Sequence, residues 1–231
     1  MNSFVACVDD KIVSEQEPSP DVIEKISRDG RSCESAVIRN GSTLVFSSLG
    51  YGRKTVTIWL PQTTMVDLIG IQGSDDADVV ASARSATLRW LHYGSSISHC
   101  HSVKSPLQAW PAIVSRKAGL ELTSLGFAGQ CMLDPFVAQS IAASEADVIS
   151  LSIGVNITGA RAMNQRTFVP AVHGFLDIIR ERHPHTPIVL VSSILWPGSE
   201  DVPGPSDVRF NDDGSVTCFY TAIRTMCDLE R

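Results

Sequence analysis

The spacing of apolar residues changes character partway along the chain. Between residues 36 and 72, short β-branched runs (Ala36–Arg39, Thr43–Ser47, Thr55–Leu60 and Met65–Ile71) alternate with turn-forming stretches such as Gly41-Ser42, Leu49–Gly52 and Pro61-Gln62. Runs of this kind at roughly ten-residue spacing predict four strands of a partial β-sandwich. From Thr87 the rhythm becomes strand, helix, strand. Apolar runs over 87–93, 120–125, 147–153 and 187–195 predict strands. The third is continuous in apolar residues except for serines, as a sheet covered on both faces requires, and the fourth is apolar enough to be central. Pro106–Ala118 predicts a helix, with Ser105 as N-cap, Pro106 at its first position and Gly119 as its stop. Asp134 caps a second helix opened by Pro135, with Phe136, Val137, Ile141 and Ala142 along one side. Over 168–182, Val169, Val172, Phe175, Leu176, Ile178 and Ile179 form the stripe of a third. The alternation gives an α/β fold with a parallel sheet. The chain thus divides into a polar segment over 1–30, expected to be poorly ordered at its start, a small β-rich unit over 31–85 and an α/β domain over 86–231.

Composition narrows the function without defining it. A chain of 231 residues, 43% of them hydrophobic, has room for one substantial core and a smaller unit beside it. A net charge of -6 with 19 scattered basic residues excludes a surface built to track phosphates, so no nucleic-acid partner is expected. No window approaches a membrane span, and the N-terminus lacks the basic start of a secretion signal; a cytoplasmic protein with no membrane partner is expected. The six cysteines lie far apart with no Cys-x-x-Cys pair, which reads as reduced buried thiols and not as a zinc site or disulfide framework. Nor is a metal expected at His99-Cys100-His101, because adjacent residues rarely converge on one ion.

In open parallel sheets, sites lie outside the carboxyl ends of the strands. Three segments rich in small residues fall there: Gly94-Ser95-Ser96-Ile97-Ser98-His99, Gly126-Phe127-Ala128-Gly129-Gln130 and Ser152-Ile153-Gly154-Val155-Asn156. A tight turn carrying a serine is one way to expose a nucleophilic hydroxyl. No Gly-x-Gly-x-x-Gly opens the first helix, so no dinucleotide cofactor is indicated.

Across about residues 86–206 this arrangement resembles the SGNH (GDSL-like) hydrolase superfamily. The wording of Trp90–His99 and of Phe168–Leu176 is similar to a subgroup that carries an N-terminal β-rich domain. The resemblance implies a three-layer α/β sandwich preceded by a small partial β-sandwich. It implies Ser96 as nucleophile, with Ser95 where the family usually has aspartate. Gly129 and Asn156 take the places of the oxyanion-binding residues. The implied activity is that of a serine esterase or acylhydrolase acting on a small carboxylic ester: Ser96 attacks the carbonyl while backbone N–H groups and the Asn156 amide hold the oxyanion. No cofactor is implied.

The family's general base is a histidine preceded three residues earlier by aspartate. No such pair occurs in the chain, and Asp228-Leu229-Glu230-Arg231 carries arginine at the corresponding place. The expectation is a domain truncated at its C-terminus, self-association through an uncovered sheet face, and an alternative function as an inactive relative that binds or assists. The other histidines suggest no replacement. His99 shares a helix face with Ser96 but has no orienting carboxylate, and His101 faces solvent. His173 lies mid-helix, and His183 and His185 lie at a helix end where cationic rings complement the dipole. His92 is expected to be buried and satisfied. Cys100 and Cys131 read as small hydrophobes, and Ser98 and Ser152 as turn or strand fillers. The loop over 196–205 reads equally as a substrate-facing wall or a surface loop.

Overall fold

The computed structural model describes residues 3–27, 31–39, 41–74, 77–82, 87–160, 162–195 and 197, with the backbone of 208–210 and 216–218. The chain forms two compact units, one from residues 1–83 with 102–108, the other from 84–101 with 109–231. The expected boundary near residue 85 lies outside the described residues, as do most of the 196–205 loop and the 228–231 tail.

In the first unit, strands β1 (Phe4–Val8) and β2 (Lys11–Gln16) form a hairpin, β3 (Val22–Ile26) pairs with β4 (Cys33–Val37), and β5 (Val56–Trp59) lies on the free side of β1. All three pairings are antiparallel, and the larger sheet has the order β2-β1-β5. Asp9 and Asp10, at φ 47° and 64°, form the two-residue turn of the first hairpin; successive positive φ values match the right-handed twist of the flanking strands. Val5 and Cys7 are buried against Leu107 and Trp59. Residues 1–30, expected as a polar segment, therefore supply three strands. The missed signal was Asp-Asp between two runs containing β-branched residues.

Two of the expected strands do not form. Thr43–Ser47 and Met65–Ile71 have no ladder, and Val45, Met65 and Ile69 stand exposed. β-branched composition measures fit to a half-buried pleated surface, and these segments have no such surface.

The second unit holds β6 (Arg89–Gly94), α1 (Ser96–His99), α2 (Trp110–Ala118), β7 (Glu121–Gly126), α3 (Pro135–Ala143), β8 (Val148–Ser152), α4 (Val155–Ala160), α5 (Gln165–Arg180) and β9 (Ile188–Val191). Strands β6 to β9 form a parallel sheet in the order β7-β6-β8-β9. Two three-residue strands, β10 (Val208–Phe210) and β11 (Val216–Cys218), pair antiparallel.

Side-chain alternation along β6 and β8 divides the layers. Leu91, Tyr93, Ile149 and Leu151 point to a core completed by Val137, Ala138 and Ile141 of α3 and Phe168, Phe175 and Ile179 of α5. The opposite face carries Trp90, His92 and Ser150, with the Trp110 ring of α2 packed 4.8 Å from that of His92. Helices on both faces make the three-layer α/β sandwich. At the amino end of the sheet, the Arg89 guanidinium grips Asp147 through two bonds of 3.0 Å and Glu145 through one of 2.5 Å, while Arg89 and Asp147 also exchange backbone contacts. The guanidinium holds the Asp147 carboxyl down to about 2.

Three local expectations change. The helix expected over 106–118 splits: Pro106–Gln108 is a single 3₁₀ turn, and α2 begins at Trp110 with Pro111 in its first turn. A continuous helix would place the Pro111 ring against the carbonyl four residues earlier, which only a helix start avoids. Phe136 leaves the apolar stripe of α3 and is exposed, while Ala138 takes its place in the core. Among the described residues, β9 ends the strand order β7-β6-β8-β9, with Val189 and Val191 exposed.

Truncating Ile149, fully buried on β8, to alanine is expected to lower stability by about 2–5 kcal/mol. The same change at Val189, half-exposed on β9, should cost under about 1 kcal/mol. Urea unfolding midpoints of the two variants check the layer assignment.

Candidate active site

Because β7, β6 and β8 are adjacent and parallel, the segments that leave their carboxyl ends emerge along one sheet edge. Ser96 follows β6, Gly129 follows β7 and Asn156 follows β8. Adjacent strands lie about 5 Å apart, so topology alone brings these three distant sequence positions to one place.

Ser96 is the first residue of α1 and is half-buried. Ser95, standing where the family's aspartate usually lies, is buried and caps the turn, its hydroxyl accepting from the Ile97 N–H at 3.3 Å. The turn sits unusually close to the sheet. A Cβ on Gly126 would fall 2.6 Å from His99 Cα and 2.5 Å from its backbone nitrogen, and one on Gly94 would collide with the Ser98 side chain. Glycine at both strand ends is thus what lets α1 lie down across them.

Gly129 is exposed with φ 73°, a left-handed conformation that glycine adopts without strain. Asn156 lies in α4, where its side-chain oxygen accepts from the Cys131 N–H at 3.1 Å. A backbone N–H can only donate, so the bond fixes which end of the amide is the oxygen and leaves the NH₂ group as the end available to a ligand. The loop that carries Gly129 is tied down twice more: the Leu133 N–H donates to the Tyr93 hydroxyl at 3.3 Å, and the Cys131 thiol reaches the Ser152 carbonyl at 3.5 Å. Burial pushes the Tyr93 phenol well above its ordinary value, so it stays neutral as an acceptor.

Beneath α1 lies a buried polar chain that sequence reasoning did not assemble. The Trp90 indole donates to Ser150 Oγ at 2.7 Å, Ser150 Oγ meets His92 Nδ1 at 2.7 Å, and His92 Nε2 meets Ser98 Oγ at 2.7 Å. His92 is buried and satisfied, as expected. Ser98 and Ser150 are its partners, so Ser98 is more than a turn filler. The available signal was a histidine and a serine at alternate positions of otherwise apolar strands. Burial holds the His92 imidazole down to about 4. A neutral ring accepts at one nitrogen and donates at the other, which suits two serines; a cation would donate to both and leave neither hydroxyl proton an imidazole acceptor.

His183 also departs from its expected role. It is buried, with Nε2 donating to the Ser144 carbonyl at 3.0 Å and Nδ1 3.1 Å from Thr186 Oγ1. His173 is exposed on α5 and His101 is exposed after α1. Cys131 is buried; Cys100 is the left-handed C-cap of α1. Among the described residues, no cluster of three His, Cys, Asp or Glu could hold a metal, and no helix is long and apolar enough to cross a membrane.

A parallel sheet with a serine turn, a left-handed glycine and an oriented asparagine along one edge defines an SGNH-type α/β unit. Residues 89–198 match the GDSL-like lipase/acylhydrolase family, and the unit they form is similar to SGNH (GDSL-like) hydrolases. No curated protein sequence matches the chain. Among solved structures, the chain is similar to the salicylyl-acyltransferase SsfX3 from a tetracycline biosynthetic pathway, with 25% identity, a TM-score of 0.63, and 99% of this chain and 56% of that one covered. It also shares its fold with a family two carbohydrate esterase from Clostridium thermocellum, with 16% identity, a TM-score of 0.57, and 84% and 66% of the two chains covered. The chain therefore spans less than two thirds of either.

Stability should fall as pH drops from about 6.5 to about 4, because over that window the unfolded chain takes up a proton at His92 that the native ring refuses. His92→Gln removes this titration. Wild type should lose up to about 3 kcal/mol more than the variant across the window, read from urea midpoints at each pH.

Proposed function

We propose that the α/β unit performs acyl transfer through Ser96. Its hydroxyl attacks the carbonyl of a small carboxylic ester, giving an acyl-serine and a free alcohol. The oxyanion is held by the backbone N–H groups of Ser96 and Gly129 and by the Asn156 amide. Water then discharges the acyl group in an esterase; an acceptor hydroxyl does so in an acyltransferase, the activity named for SsfX3. The observation that carries this reading is the Asn156 amide, whose oxygen is engaged by Cys131 so that its NH₂ group is the donor on offer.

One observation favours a second reading, a binding or accessory protein without turnover. Both buried histidines, His92 and His183, use both ring nitrogens in structural contacts. Neither can serve Ser96 as general base without breaking them.

Incubation with a fluorophosphonate, followed by intact mass, decides between the two. The acyl-transfer reading expects one phosphonyl adduct that disappears in Ser96→Ala. It also expects labelling slowed by about 10²–10³ in Asn156→Ala, the usual cost of one oxyanion donor. A folded chain that takes no label supports the binding reading.

A further inference from the structure

We propose that His92, Ser98 and Ser150 form a buried strut that positions the Ser96 turn on the sheet. They are positioning residues that touch no substrate, and the proposal rests on the acyl-transfer reading only for what Ser96 does.

α1 is a single turn. The helix has four residues, closed by the Ser98 and His99 N–H groups donating to the Ser95 carbonyl and the Cys100 N–H donating to that of Ser96. A single turn fixes its backbone angles for very few hydrogen bonds and is unstable by itself. Three features compensate. The Ser95 cap closes the amino end, and the Trp110 indole donates to the Ile97 carbonyl at 2.9 Å. The third is Ser98, the one buried side chain of α1. Its hydroxyl reaches down past Gly94 to His92 Nε2 on the strand that the turn has just left.

The strut continues beyond that bond. Because the Trp90 indole can only donate, Ser150 Oγ accepts from it, and the same oxygen meets His92 Nδ1 at 2.7 Å. His92 Nε2 in turn meets Ser98 Oγ at 2.7 Å. The chain therefore runs from Trp90 on β6 to Ser150 on β8, back to His92 on β6, and up into α1. It braces the turn against two strands instead of one. Trp110 packs 4.8 Å from the His92 ring and 6.0 Å from Trp90, closing the strut off from above. An apolar side chain would fill this space with a better core; a directed polar chain supplies one fixed seat for the residue two positions after Ser96.

The test uses the full chain and two readouts. Ser98→Ala removes the top of the strut, His92→Phe removes its middle, and His92→Gln keeps an amide donor toward Ser98. Amide exchange of the 94–101 segment, read by mass spectrometry, is expected to quicken by about 10-fold or more in Ser98→Ala and His92→Phe, with β8 protection retained and His92→Gln restoring much of the difference. Fluorophosphonate labelling of Ser96 should slow by about 10- to 100-fold in the same order, since small displacements of a reacting group carry costs of that size. Wild-type exchange in folded Ser98→Ala would overturn the strut, and Ser98→Ala answers the question should His92→Phe not fold. If the exchange result holds but wild type takes no label, the strut stands and the acyl-transfer reading fails.

Discussion

Everything in the α/β unit is hung on the pairing of β6 with β8. Both strands are buried on both faces, and their side chains alternate between two environments of opposite character. One face is a hydrocarbon core in which Leu91, Tyr93, Ile149 and Leu151 meet α3 and α5. The other is a sparse polar layer of Trp90, His92 and Ser150 under α1 and α2. A slip of one residue in either strand would exchange the two sets, placing an imidazole in hydrocarbon and a leucine under the serine turn. The Arg89–Asp147 clasp and the aromatic stack of Tyr93 on Phe175, with ring centroids 5.4 Å apart, fix that register at opposite ends of β6.

This division also separates the work of the two faces. Burial on the core side supplies stability in bulk, and most of its members are interchangeable aliphatics. The polar side supplies little burial energy, because each of its groups must keep a hydrogen-bond partner or cost about 1–3 kcal/mol. What it supplies is direction. The indole donates to Ser150 Oγ and the imidazole joins Ser150 to Ser98, so each of these groups keeps a hydrogen-bond partner along one line through the layer. Asn156 follows the same logic at the edge of the sheet, where a backbone donor settles which way an otherwise symmetric amide points.

Much of this was legible in the sequence where one residue type has one structural use. Strand–helix alternation gave the parallel sheet, and the small-residue turns at the strand ends located Ser96, Gly129 and Asn156 on one edge. Pro135 and Gly119 marked a helix start and a helix stop correctly. Reading failed where tertiary context decides. Thr43–Ser47 and Met65–Ile71 have strand composition but no neighbouring edge to pair with, whereas β1 and β2 pair through an inconspicuous Asp9-Asp10 turn. Pro106 looked like the better helix start until Pro111, five residues on, proved to be in the first turn. The polar chain was invisible for another reason: Ser98, Ser150 and His92 are ordinary residues whose meeting depends on a register no single segment encodes.

The contact between α1 and Gly126 also limits how such a site can change over time. A side chain that crowds another side chain can be relieved by a second substitution nearby. Here the added carbon would meet the backbone nitrogen and Cα of His99, atoms that every amino acid shares. No replacement at position 99 can make room. A lineage that lost this glycine could recover it only by reversion or by rebuilding the whole strand-to-helix turn, so the path of the main chain, more than the chemistry of the serine, is what makes this corner of the fold hard to revise.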